Sequence, residues 1–473
     1  MLTGIRYRAY PTPEQAQRLA QWVGCARVIY NGKCDDAFYQ YRFAKAYLPA
    51  GHYPAHDKTY RQYKTELTPW LKDCPSQILR NSATIWHRSY QRFLKGLSRP
   101  PKRKSRATGN YIWLTQELFD IRKEGGVYRL FICEGKKKFD LGELKLGWYR
   151  NPPAKPKSIW IKVKNGIWTV SFSYEDPVTR NQPVPLELPE HIEWLKGASI
   201  EELYAMVDAI DIGVEVPIQS TRATFFFSER EKQKKKNRTK KIKRKQRKMA
   251  RQALGSKQRV KTKRQIGRLK KKETDCREDF IQKSTHALAN NCHVLAMEAL
   301  KTKNMTRRAK AKQCPKTGKW LRNNRSAKAA LNRSMLDISP GRIRTVLANK
   351  MYRHNKPLLL IPPEYTSQTC AACGHTHAES RLSRSEFKCK GCGHEAHADV
   401  NAAFVIKQHA IDLLLHSGTE LLDNGSLRNP VLGAPGAFGQ LATEIRRCWE
   451  NPACASVDTS TKIGSDLLRS SVA

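Results

Sequence analysis

The chain reads as a multidomain α+β protein: an amino-terminal helical bundle with an antiparallel β-barrel, then a carboxy-terminal mixed α/β domain with an inserted four-cysteine metal knuckle. Three observations carry this. Helical and alternating apolar periods occupy separate stretches before residue 176, strands and helices alternate after residue 204, and two Cys-x-x-Cys pairs interrupt that alternation. At 473 residues the chain is long enough for about two to four domains.

Residues 2 to 10 alternate as a short strand would, and Thr12-Pro13-Glu14-Gln15 then supplies an N-cap, a first-turn proline and a capping-box glutamine. Leu19, Trp22, Val23, Ala26, Ile29 and Tyr30 recur at helical spacing. Similar helices are expected over 57 to 70 and 76 to 96, so 11–106 is taken as a helical domain. Gly125-Gly126 and Asn165-Gly166 separate apolar runs as hairpin turns do. The expected barrel therefore joins 107–176 to the first strand, 1–10. The polar, proline-bearing stretch 177–203 reads as a linker.

From residue 204 the order is a strand bearing Asp211, a strand at Ala223 to Phe227, a long basic helical region, a strand at His293 to Ala299, a helix near Ile343 to Tyr352 and a strand at Leu358 to Ile361. The cysteine pairs and a helix from Ala398 follow. That order suits a mixed sheet of ribonuclease H type, over 204–369 and 393–416, with the knuckle at 370–392. The stretch 417–473, rich in Gly, Ser, Asn and Pro, is expected to be loosely ordered.

Lysine and arginine number 87 against 42 acidic residues, a net charge of +45 that points to phosphate as the partner. An acidic membrane is the rival for any basic chain. No stretch approaches the roughly 18 apolar residues of a spanning helix, and Met1 to Tyr10 lacks the apolar core of a signal peptide. The expected setting is the cytoplasm of a prokaryote, at the nucleoid, with no membrane partner.

Of thirteen cysteines, four fall in two pairs, Cys370-x2-Cys373 and Cys389-x2-Cys392, separated by fifteen residues. That spacing supplies four thiolates to one tetrahedral, structural Zn²⁺ with no open coordination position. Neighbouring His375, His377, His394 and His397 are rival ligands, read here as solvent-facing or nucleic-acid contacts. The other cysteines, among them Cys25, Cys34, Cys133 and Cys292, read as small core side chains.

Three acids stand where an apolar core would not want them. Asp211 lies between Ile210 and Ile212, Glu298 ends the run His293 to Met297, and Asp399 opens the helix from Ala398. Together they could hold two Mg²⁺ or Mn²⁺ ions about 4 Å apart at a phosphodiester. Taken singly, each also fits a strand-end, surface-pair or helix-start role, and spacing alone does not choose Asp211 over Asp208 or Glu215. The segment Glu229 to Lys272 reads as a basic helical hairpin broken at Gly255-Ser256. Its candidate phosphate contacts are Lys240, Lys241, Arg244, Arg247, Lys248, Arg264, Arg268 and Lys270.

Five blocks in order carry a resemblance: Asp211-Ile212-Gly213-Val214; Met297-Glu298-Ala299-Leu300-Lys301-Thr302-Lys303-Asn304-Met305; Asn332-Arg333-Ser334; Tyr365-Thr366-Ser367-Gln368-Thr369-Cys370; and His397-Ala398-Asp399-Val400-Asn401-Ala402-Ala403. Over about 205 to 410, and more loosely before that, the chain resembles the transposon-encoded TnpB (OrfB) family, related to compact type V CRISPR effectors. The resemblance implies a RuvC-like, RNA-guided DNA endonuclease with Asp211, Glu298 and Asp399 as its acids. It also implies an amino-terminal recognition and wedge-like module that holds a guide RNA derived from the transposon end and reads a short motif beside double-stranded target DNA. A monomer is expected. One departure from the family pattern is Gln219-Ser220-Thr221-Arg222, in place of the small-residue turn after the first strand. A guided repressor or transposition regulator that does not cut, and an unguided transposase-associated nuclease, remain the alternatives.

Overall fold

The computed structural model describes residues 2–49, 56–106, 108–136, 138–175, 188–415, 420–421, 426–428 and 462–464. The chain divides into two compact units, Met1–Pro183 and Val184–Ala473.

In the first unit the capping box forms as the sequence dictates. Thr12 Oγ1 accepts the Gln15 amide, the Gln15 side chain accepts the Thr12 amide, and Pro13 opens a helix that runs to Tyr47. The second helix is Ser76–Leu94. The helix expected over 57 to 70 is replaced by two short 3₁₀ turns, Arg61–Tyr63 and Pro69–Asp73. Thr68 explains the difference: its hydroxyl donates to Tyr63 C=O (2.6 Å) and accepts from the Thr65 amide (3.0 Å), a local alternative to the helical ladder, and Pro69 disfavours α geometry before it.

Both glycine turns close hairpins. Asn165 and Gly166 adopt positive φ between Lys164 and Ile167, and Gly125 and Gly126 do so between Glu124 and Val127. The first strand, Leu2–Ala9, joins the sheet through its pairing with Ile167–Glu175. The expected barrel does not close. An open antiparallel sheet runs in the order 111–115, 158–164, 167–175, 2–9, 146–147, and a separate sheet holds 119–124, 127–132 and 142–143. The 3₁₀ turn Gln116–Leu118 ends the edge strand of the first sheet and the second sheet starts at Phe119. At the other edge, Pro152, Pro153 and Pro156 follow Leu146–Gly147 and cannot donate to a ladder. Tyr7, Ile112, Leu130, Ile132 and Phe172 nevertheless share one core.

In the second unit the expected linker is only partly outside the described residues. Its remainder folds into the helices Leu188–Lys196 and Ile200–Met206, because Leu188, Ile192, Leu195 and Leu203 fall at helical spacing and are buried. A mixed sheet follows in the order 420–421, 426–428, 358–361, 294–298, 207–211, 218–220, 224–226, 462–464. The expected loosely ordered tail lies outside the described residues, apart from these short edge strands. At the centre, Val207–Asp211, Val294–Glu298 and Leu358–Ile361 are parallel.

Apart from Asp208 and the terminal Asp211 and Glu298, these three strands are apolar because both faces are covered. Val207, Ala209, Val294, Ala296, Leu359 and Ile361 pack with the helix Ala398–Leu415. Ile210, Leu295, Met297, Leu358 and Leu360 pack against the helices Lys257–Asn291 and Pro340–Arg353. Among the described residues no helix is long and apolar enough to cross a membrane.

The atypical turn after the first strand has a physical explanation. Asp208, only 2% exposed, accepts from Ser220 Oγ (3.1 Å), Thr221 Oγ1 (2.6 Å) and the Thr221 amide (3.3 Å), so Ser220 and Thr221 solvate a carboxylate that water cannot reach. The hairpin register is Ile218↔Phe225 and Gln219↔Thr224. Asp208→Ala would strand these buried donors, and we expect a loss of roughly 3 kcal/mol in urea unfolding. A change under about 0.5 kcal/mol would contradict this account of the turn.

Candidate active site

Strand register decides where the acids point. Side chains two apart share a face, so Asp211 continues the face of Val207 and Ala209, and Glu298 that of Val294 and Ala296. The parallel pairing Met297↔Ile210 sets the two carboxylates side by side at the carboxyl ends of neighbouring strands. Both thus face the helix whose first turn carries Asp399. The three acids line one open pocket of about 1540 Å³, together with Thr366 and Arg381.

Like charge and partial burial make this cluster costly. Burial, then Glu298 and Asp399, push the Asp211 carboxyl up to about 7. Burial also raises Glu298, against the hydrogen bond from Thr366 and the charge of Arg381. It raises Asp399 against His397 and Arg381. Thr366, fully buried, donates its hydroxyl to Glu298 Oε1 at 2.5 Å, and Arg381 lies 3.7 Å from Asp399 Oδ1. Gly213 belongs to the same close packing: a Cβ there would stand 2.8 Å from Val216 C=O and 3.4 Å from Asp399 Oδ2. The rival first acids separate by geometry. Asp208 is consumed by its turn, and Glu215 is an exposed residue at the pocket rim, 3.5 Å from Arg384.

The four cysteines converge. Their sulfurs lie within 4.8 Å of one another, with Cys370 and Cys392 at 3.8 Å and Cys373 and Cys389 at 3.6 Å. A tetrahedron with 2.3 Å metal–sulfur bonds has edges of about 3.8 Å, so the donor set fits zinc. The two halves share a pattern, Cys-x-x-Cys-Gly-His, at 370–375 and 389–394. In each, the glycine adopts positive φ and its amide donates to the first cysteine's carbonyl, and that cysteine's amide donates to the histidine carbonyl. The histidines thus shape the turns through their backbones. Burial resists ionisation of Cys389, but the amides of Cys392 and Gly391 aimed at its sulfur bring it down to about 7.

The knuckle is fastened to the acid-bearing helix by Asn401, 1% exposed, which accepts from the Ala371 amide (2.9 Å) and donates to Thr369 C=O (2.8 Å). Sequence reasoning assigned no role to Thr366, Arg381 or Asn401. Thr366 and Asn401 stand inside the motif blocks, which was the available signal. Arg381 carries none, being one arginine among many.

The basic segment forms two helices packed together, Glu229–Ala250 and Lys257–Asn291, with Ile242 and Ile266 buried and Lys245 Nζ donating to Gln265 (2.7 Å). Lys240, Lys241, Arg244, Arg247, Lys248, Arg264, Arg268 and Lys270 are all exposed, and none is engaged in an ion pair among the described residues.

A family model described as "probable transposase" (OrfB) matches residues 206–309, and "Cas12f1-like, TNB domain" matches 341–406. A helix-turn-helix model of the same family matches 1–33, which here form a strand and the start of one long helix. "Putative RNA-guided DNA endonuclease InsQ" of Escherichia coli K12 is 30% identical over 407 residues, 85% of this chain and 90% of the relative. The chain belongs to the TnpB (OrfB) family. A second relative, "Putative RNA-guided DNA endonuclease" of Streptomyces pristinaespiralis, is 25% identical over 84% of this chain and 87% of its own length. A cryo-EM structure of a Cas12f1–sgRNA–target DNA complex aligns over 86% of this chain and 98% of that one, at 15% identity and a TM-score of 0.48.

The raised Asp211 carboxyl has a pH signature. A neutral form favoured by folding contributes stability that is complete below about pH 4 and is lost as pH rises through 7. In chelator at pH 8, Asp211→Asn should therefore be more stable than the parent by about 3 to 4 kcal/mol in urea unfolding, the two converging near pH 4. Equal stabilities at pH 8 would refute the burial of charge.

Proposed function

We propose that the chain is an RNA-guided DNA endonuclease encoded by a transposable element, cutting target DNA beside a short motif at the pocket of Asp211, Glu298 and Asp399. The observation that carries the reading is the convergence of three partly buried carboxylates on one open pocket, an arrangement that bound cations would stabilise in its ionised form. The oxygen donors fit two Mg²⁺ or Mn²⁺ ions, which when bound would polarise the scissile phosphodiester and stabilise its leaving oxygen. Asp211, Glu298 and Asp399 would hold these ions. Thr366 fixes the Glu298 carboxylate, and Arg381 is placed to meet phosphate oxygens at the pocket wall.

In this reading base pairing supplies specificity and the protein supplies grip. The names of the two relatives support guidance by RNA. The exposed basic hairpin, with its eight candidate residues, holds backbone phosphates and carries little sequence readout. The sheets of 1–10 and 107–176 and the helices of 11–106 would hold the guide and read the motif. Segments 204–369 and 393–416 would form the nuclease, 370–392 its zinc ribbon, with 177–203 as connection and 417–473 as tail. The guide would derive from the transposon end, and the protein would act as a monomer at the nucleoid.

Asp211→Ala should lower cutting of guide-matched DNA by roughly a thousandfold or more while leaving RNA binding intact; full cutting by that variant would sink the assignment. Elemental analysis should find one zinc per chain. Cys389→Ser should lose it and, through the Asn401 fastening, lower the thermal midpoint of the second unit by several degrees. A zinc-free parent of unchanged stability would overturn the structural role.

A further inference from the structure

Past Glu298 the chain leaves the pocket at Met305 and returns to it at Ala327, in the helix Arg325–Ile338; both residues line the pocket wall. The excursion between them carries a two-stranded hairpin, Lys312–Gln313 paired with Trp320–Leu321. Local bonds build it: the Cys314 amide donates to Lys319 C=O (2.8 Å), the Gly318 amide to Cys314 C=O (2.9 Å), Gln313 Nε2 to Gly318 C=O (2.7 Å) and Asn323 Nδ2 to Lys310 C=O (2.7 Å). Gly318, at φ +63°, makes the turn.

Neither face of this hairpin is covered. Trp320 is 71% exposed and Leu321 50%, and neighbours in a strand point to opposite sides. A bare two-stranded hairpin is marginal in water, and an exposed tryptophan held on one contributes nothing to a core. The surrounding charge is one-signed: from Ala299 to Leu336 there are 12 lysines and arginines and no acidic residue. A second copy of such an arm would be repelled, whereas a polyanion would be drawn in.

We propose that the hairpin is a stacking arm for single-stranded DNA at the mouth of the carboxylate pocket. Trp320 stacks on an unpaired base, and Lys312, Lys316, Lys319 and Arg322 hold the phosphates beside it. Only an unpaired strand presents a free base face, so the arm selects single strand over duplex. The inference rests on the nuclease reading of the pocket.

The test uses the full-length protein carrying Asp211→Ala, in chelator, with fluorescence anisotropy of a labelled oligothymidylate, an RNA strand and a duplex of equal length. Trp320→Ala should weaken oligothymidylate binding about tenfold, leave duplex binding and the salt slope unchanged, and be largely rescued by Trp320→Phe. Replacing Lys316, Lys319 and Arg322 by Ala should instead flatten the single-strand salt slope by about 2. Unchanged oligothymidylate affinity in Trp320→Ala, an equal loss on duplex, a larger loss on RNA, or a change in sedimentation of the free protein would each overturn the arm. Because binding is read without metal, cutting that survives Asp211→Ala in Mg²⁺ would remove the nuclease reading separately.

Discussion

Burying carboxylates beside one another is the constraint around which the second unit is organised. Asp211 and Glu298 end neighbouring parallel strands, where Glu298 adds to the cost of ionising Asp211, and Asp399 brings a third negative charge from the start of a helix. Much of the surrounding structure serves to hold that unfavourable arrangement. Thr366 gives Glu298 a proton to accept, Arg381 offsets Asp399, and Gly213 lets the backbone pass where a side chain would collide. Fourth-neighbour packing along Ala398–Leu415 keeps the helix pressed against the same sheet face.

The four-cysteine knuckle enters this arrangement as a brace. Its first turn is bound to Asn401, two residues beyond Asp399 and one helix with it. Arg381, which faces the acids, comes from between the two cysteine pairs. The four-cysteine cluster thus helps to place an aspartate and an arginine that lie outside it.

How far residues alone reveal this molecule depends on the range of the forces involved. The capping box at Thr12, the Asn165-Gly166 and Gly125-Gly126 turns, and the basic helical hairpin are set by neighbours in sequence, and all form as read. The cysteine spacing likewise fixes its own geometry. The open sheets of the first unit were not readable, because closure depends on whether distant edge strands, here Tyr111–Thr115 and Leu146–Gly147, pair with one another. The helices at Leu188–Lys196 and Ile200–Met206 were hidden behind a polar, proline-bearing stretch. Spacing alone left Asp208 and Glu215 beside Asp211; the resemblance chose Asp211, and the physical reason lies in the register of two strands more than eighty residues apart.

The excursion between Met305 and Ala327 begins and ends at a fixed wall, so the sheet, the acids and the knuckle do not depend on its length. Closing a flexible loop grows more costly only with the logarithm of its length, about 0.6 kcal/mol for each doubling. Residues can therefore be gained or lost here at small thermodynamic cost, which makes this stretch a natural place for insertions to accumulate without disturbing the fold.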